Sequence, residues 1–303
     1  MVQLQQIGWK FGILLLITGS AYAMAAAAWL LCFESIPPQL SVAKLFVYRL
    51  IGESLTTVNP TNIIAGEGAK IYLLHKAGVE YEQGIISILL SRILIFLSMI
   101  SLFLVLPFSL HHLGFIAQFS LSWGIGLLAM SLGFIGLFYS MVHPKLLLYK
   151  SIRSIHRRMP FSFLEKILPN ILSINQGLCD YYRQQKLHLF LAFFLSLLHW
   201  IMGAVEIYAI FFLLNLKVSL LSALLMEVGI TFIKSIGAFV PGQIGVEEYG
   251  NKTMLGFLQM SNGNLWLTIS ILRRSRQLIW LCMGGLFFIT LNLKKHEHTL
   301  HLP

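Results

Sequence analysis

Ionisable side chains are scarce in this sequence, and several sit inside apolar stretches at matched spacing. Glu67 lies in Asn59-Pro60-Thr61-Asn62-Ile63-Ile64-Ala65-Gly66-Glu67-Gly68-Ala69-Lys70, and Arg92 follows it by 25 residues. Glu247 and Glu248 lie in Val240-Pro241-Gly242-Gln243-Ile244-Gly245-Val246-Glu247-Glu248, and Arg273 follows Glu248 by 25 residues, with Arg274 and Arg276 close behind. A guanidinium is suited to bidentate contact with phosphate oxygens. The carboxylates could hold a cationic group, or take turns as partners of the arginines. In hydrocarbon each such charge costs roughly 2.5–3.5 kcal/mol on insertion scales, so it must pair or line a wet cavity. Two structural alternatives stand beside the ligand role. Arg274-Ser275-Arg276 could be a loop between two short spans, or the arginines could be used up by Arg92–Glu67 and Arg273–Glu248 pairs.

Each carboxylate group follows a break. Pro241 removes a backbone donor and should stop the preceding helix near Phe239. Gly242 and Gly245 permit a sharp reversal, after which Glu247 and Glu248 fall in the first turn of a new helix. Asn59 and Pro60 stop the earlier segment, with Thr61 and Asn62 able to cap the next. Gly66 and Gly68 could let a ligand approach the backbone beside Glu67 and Lys70. Broken helices at corresponding places in two halves point to a transporter's binding site. His199 and Glu206, seven apart on one helix face, could form a relay, with a Glu206–Lys234 ion pair as the alternative. Glu53 could pair with Arg49 four residues earlier.

The elements that must hold these residues are membrane helices. The chain has 303 residues, 57% hydrophobic and only 11% charged, which excludes an ordinary soluble fold. Apolar runs over residues 11–33, 84–106, 119–142, 187–214 and 264–292 reach the roughly 20 residues a span needs. Residues 41–77 and 218–260 carry the breaks. The expected fold is all-α: a polytopic integral membrane bundle with two broken or re-entrant regions and an internal pseudo-repeat. It would form one domain, with pseudo-halves at about 1–142 and 187–293 joined by loop 143–186.

Charge orients the bundle. The net charge is +10, and loop 143–186 holds eight Lys and Arg against Glu165 and Asp180. By the positive-inside rule this loop and the C-terminus should be cytoplasmic in a cell membrane. The N-terminal side depends on whether 41–77 crosses once, which puts the N-terminus inside, or forms a re-entrant hairpin, which puts it outside; Lys10 favours inside, with about eight helical segments. The basic balance fits anionic lipid headgroups, and nucleic acid is not an expected partner. Residues 1–33 resemble a signal peptide only in part, because the apolar run is too long for cleavage.

Chemistry outside the bundle is not expected. Asp180 is the sole aspartate, so no Asp-rich metal–diphosphate motif exists. No P-loop, Gly-x-Ser-x-Gly or His-Glu-x-x-His motif occurs. Cys32, Cys179 and Cys282 have neither disulfide nor zinc spacing. No cofactor and no metal site is expected, and His296, His298 and His301 read as a solvated tail.

These segments carry a family resemblance. The stretch from Phe239 to Glu247 is similar to the Pro-Gly-Gly-x-Gly-x-x-Glu pattern of the flippase-like transmembrane domain of the lysylphosphatidylglycerol synthetase family, with Gln243 where many members have Gly. Gly66-Glu67-Gly68-Ala69-Lys70, Ser91-Arg92 and Leu272-Arg273 resemble three further family positions in the same order. The resemblance implies movement of a lipid across the bilayer. It does not imply lysyl-lipid synthesis, because the soluble aminoacyl-transferase domain has no counterpart here. The expected substrate is an anionic phospholipid or polyprenyl-phosphate-linked lipid, held by Arg92, Arg273, Arg274, Lys70, Glu67, Glu247 and Glu248. Alanine at Arg92 or Arg273 should then stop transport and spare the fold. An intramembrane transferase using Glu247 or Glu248 as base, and a non-transporting scaffold for a separate lipid-modifying enzyme, are the alternatives.

Overall fold

Nine α-helices and no strand occur among the residues that the computed structural model describes, namely 8–58, 63–112, 132–133, 136, 162–237, 240–260 and 263–300. They are α1 Phe11–Leu30, α2 Val42–Val58, α3 Ile63–Lys76, α4 Tyr81–His112, α5 Ser162–Gln184, α6 Lys186–Leu213, α7 Leu220–Ile236, α8 Val246–Phe257 and α9 Leu265–Leu300. Among the described residues, three stretches are long and apolar enough to cross a membrane: Gly8–Leu30, Tyr81–Phe103 and Lys186–Leu213. They coincide with three of the expected spans. The expected span at 119–142 lies almost entirely outside the described residues, as do Asn59 and Pro60.

The chain divides into two compact units. The first comprises Met1–Ala26, Leu40–Ala77 and Leu198–Pro303; the second comprises Ala27–Gln39 and Gly78–Leu197. In the second, α5 packs on α4, with Ile86 filling the space a side chain would need at Gly177. The Tyr181 hydroxyl donates to the Leu31 carbonyl oxygen, and the Trp29 indole donates to Ser87 Oγ at 3.2 Å.

The first unit is organised by two antiparallel helical hairpins. Ser41 Oγ accepts from the Lys44 amide and caps α2, and Ser219 Oγ does the same for α7 through the Ser222 amide. In the α2–α3 hairpin a Cβ at Gly66 would overlap the Thr56 hydroxyl and lie 2.5 Å from the Gly52 carbonyl oxygen. Gly66 therefore sits inside α3 as the contact that lets two backbones touch, a small-residue crossing of the kind membrane helices favour. In the α7–α8 hairpin Gly229 faces Met254 and Gly250 faces Ile230. The helices have 17, 14, 17 and 12 residues, roughly 18–26 Å long at 1.5 Å per residue, each short of a full hydrocarbon crossing of about 30 Å. Helices α2 and α3 thus lie against each other as a hairpin.

The long helix α9 lies against both hairpins. It meets α2 where Gly284 faces the Leu50 carbonyl oxygen, at 2.6 Å from a would-be Cβ, and where Ser54 Oγ donates to Leu281 O at 3.1 Å. It meets α8 through the buried Asn251–Ser270 hydrogen bond of 2.9 Å. Because α9 runs unbroken from Leu265 to Leu300, the alternative of a loop at Arg274-Ser275-Arg276 is excluded.

Candidate functional site

The second break is described except for Ala238 and Phe239. Helix α7 ends at Ile236, three residues before the expected stop, because the chain already turns at Gly237, whose Cα packs against Val246. A single 3-10 turn follows over Pro241–Gln243, and α8 starts at Val246. Gly242, Gln243 and Gly245 have φ of 57°, 52° and 83°. A glutamine with positive φ is strained. It stands where the resembling family often has glycine, and its side-chain amide is tied to the Lys234 carbonyl oxygen at 3.2 Å.

The tip of this break touches the first hairpin. The Pro241–Gln243 turn packs against α2, and a Cβ at Gly242 would lie 3.8 Å from the Thr57 carbonyl oxygen. Thr57 is one residue from the end of α2, so the two hairpins meet tip to tip. Beside this junction Tyr22, Glu53, Ser54, Thr57, Gln277 and Trp280 line a cavity of about 70 Å³. The Trp280 indole N–H has no hydrogen-bond acceptor there.

Three arginines of α9 reach three different places, because successive helical residues are rotated by about 100°. Arg273, 5% exposed, bridges Glu227 of α7 and Glu247 of α8, both at 3.0 Å. Its Nη1 meets no acceptor. Arg274 binds both carboxylate oxygens of Glu248, at 2.8 and 3.2 Å. It also donates to the carbonyl oxygens of Gly242 and Gln243, each at 2.7 Å, and to Gln277 at 2.9 Å. That engages all five guanidinium N–H groups. Arg274 is thus a clamp on the broken backbone, whose positive-φ residues turn their carbonyls towards it. Arg276 pairs with Glu206 of α6 and donates to Thr18 of α1.

The anticipated Arg273–Glu248 pair is therefore replaced by Arg273–Glu247 and Arg274–Glu248. The anticipated Glu206–Lys234 pair is also replaced: Lys234 lies 3.5 Å from Glu247, and Glu206 is taken by Arg276. Four carboxylates (Glu206, Glu227, Glu247, Glu248) face four cations (Lys234, Arg273, Arg274, Arg276). The balance matters because an unpaired charge at this burial would be strongly unfavourable. Glu248 also accepts from the Gly245 amide at 2.8 Å, so it caps the restarted helix as the simpler expectation held.

Around the first break the ion pairs are local. Glu67 pairs with Lys70 at 2.7 Å, and Glu53 with Arg49 at 2.9 Å, as its spacing suggests. Arg49 also stands 5.9 Å over the Tyr22 ring. His199 is hydrogen-bonded through Nδ1 to the Ala21 carbonyl oxygen at 2.9 Å. Arg92 belongs to the second unit, exposed on α4. The sequence alone did not mark Thr18, Gln277 or the Tyr22–Trp280 contact. A lone hydroxyl in the apolar run of α1 was the one available signal for Thr18.

The model of the lysylphosphatidylglycerol synthase transmembrane region matches residues 2–284. Neither the curated proteins nor the solved structures compared with the chain give a match.

Proposed function

The chain belongs to the lysylphosphatidylglycerol synthase transmembrane-region family, and on that premise we propose that it binds the anionic headgroup of a membrane lipid and carries it across the bilayer. The observation that supports this most is the packing of the Pro241–Gln243 break against α2, beside a charge-balanced arginine–glutamate cluster. Broken helices of this kind are a feature of transporter binding sites, where irregular backbone stands beside charged side chains.

In this proposal Arg273 and Arg276 are the guanidinium groups that take the headgroup phosphate, since each keeps a buried N–H without an acceptor. Lys70 completes the phosphate contacts in other stages of transport. Glu67, Glu247 and Glu248 exchange with the phosphate as partners of the cations. Arg274 holds the break in shape. The cavity beside Thr57 and Gln277 is the entry to the cluster. The test is lipid movement by the purified protein in vesicles: a faster inward–outward exchange of a headgroup-labelled anionic lipid than in protein-free vesicles supports the proposal.

The same proposal has a sidedness. Loop 143–186 and the C-terminal end face the cytoplasm, and the α2–α3 hairpin, which returns the chain to its starting side, leaves the N-terminus outside. In a cysteine-free background, cysteines at Ser154 and His298 should resist an impermeant maleimide in intact cells, while one at Gln3 should react. Labelling at Ser154 or His298 overturns the orientation.

A further inference from the structure

Glu206 is buried on α6, 3% exposed, and its two carboxylate oxygens are treated unequally. Oε2 receives Arg276 Nη1 and, at 3.3 Å, the Thr18 hydroxyl. Oε1 accepts nothing from the protein, and Arg276 Nε likewise donates to nothing. Such a half-used ion pair is unusual, since buried polar atoms are ordinarily satisfied. The charged groups facing Glu206 are Arg276 and Arg273 on α9, Glu227 on α7 and Glu247 on α8; Thr18 and the titratable Tyr22 stand on α1, and His199 lies two turns away on α6 itself.

We infer that Glu206 is a proton-binding site that couples proton uptake to occupancy of Arg276 by a phosphodiester anion. This rests on the proposed lipid-binding function. If a phosphodiester displaced an ionised Glu206 from Arg276, two anions would compete for one guanidinium, with Glu227 and Glu247 close by and little water to screen them. Protonation removes the conflict. A proton from the aqueous phase bonds to Oε1, which is the oxygen without a partner, and the carboxylate charge is cancelled. Oε2 then releases Arg276, whose fork takes the phosphodiester oxygens. One anion is neutralised as another arrives, so the net charge of the cluster is unchanged. When the lipid leaves on the other side, the O–H bond breaks, the proton departs with the lipid, and the Arg276–Glu206 pair reforms. Lipid and proton therefore travel in the same direction.

Infrared difference spectra and binding of phosphatidylglycerol, measured on the whole protein in phosphatidylcholine nanodiscs from about pH 5 to about pH 8, test this. On adding phosphatidylglycerol the wild type should show a new protonated-carboxyl band. Its affinity should fall about tenfold per pH unit once the carboxyl is ionised in the lipid-free protein, as one linked proton requires. Glu206→Gln should lose the band and bind with the same affinity across the range. Binding that is independent of pH, with no carboxyl band in the wild type, overturns the coupling and leaves lipid binding standing. Absence of phosphatidylglycerol binding at every pH overturns both. The wild-type spectra decide the matter even if Glu206→Gln folds poorly.

Discussion

Arg273→Ala is expected to destabilise the protein by about 3–5 kcal/mol, the cost of removing one partner from a buried ion pair. The guanidinium is 5% exposed and lies between two glutamates that are 9% and 3% exposed. Alanine would take from Glu227 its arginine partner, and leave Glu247 with the longer contacts to Lys234 at 3.5 Å and Arg274 at 3.8 Å. For a chain of 303 residues the loss corresponds to a fall in melting temperature of roughly 5–8 °C, readable by thermal unfolding in detergent. Arg273→Lys should fall between wild type and Ala, because an ammonium lacks the fork that spans two carboxylates. An alanine variant that melts with the wild type would show that the pairs contribute nothing to stability. From the sequence alone this arginine reads as a ligand that could be removed without harm to the fold. Its two-sided burial makes it part of the framework as well.

Gly66→Val should be the most damaging conservative change in the first hairpin. Its Cβ would meet the Gly52 carbonyl oxygen at 2.5 Å and overlap Thr56, and backbone cannot swing aside as a side chain can. Overpacking of this kind costs about 1–3 kcal/mol, and more where backbone must move. Gly68, two residues on, faces open space. Gly68→Ala should stabilise by roughly 0.5–1 kcal/mol, the helix preference of alanine over glycine. The paired variants, compared by thermal unfolding, separate a packing role for Gly66 from a ligand role. Equal melting of both would remove the packing account.

Much of this architecture is legible in the sequence. Apolar length marks α1, α4 and α6, and Pro and Gly mark the second break to within a few residues. What the sequence conceals is rotation and return. Whether Arg273 meets Glu247 or Glu248 depends on the 100° step between neighbouring side chains on two helices, and equal sequence offsets carry no such information. The 25-residue interval from Glu248 suggests one pairing, and helix geometry gives that partner to Arg274. Similarly, Gly66 in a Gly-Glu-Gly string looks like a ligand loop, while only the antiparallel return of α3 reveals that it faces Gly52. The tip-to-tip meeting of Thr57 and Gly242, 185 residues apart, has no local signature at all.

The central claim is that this protein moves an anionic lipid through the arginine–glutamate cluster, and transbilayer exchange tests it most directly. Purified protein is reconstituted into phosphatidylcholine vesicles holding a trace of headgroup-fluorescent phosphatidylglycerol, and an impermeant reductant bleaches the outer leaflet. The account predicts that the protected inner-leaflet fluorescence decays faster in vesicles with wild-type protein than in empty ones. The acceleration should vanish in Arg276→Gln, chosen because its guanidinium, 13% exposed and paired with Glu206 alone among carboxylates, is less embedded than Arg273. Equal decay in wild-type and empty vesicles, or undiminished acceleration in Arg276→Gln, would contradict it.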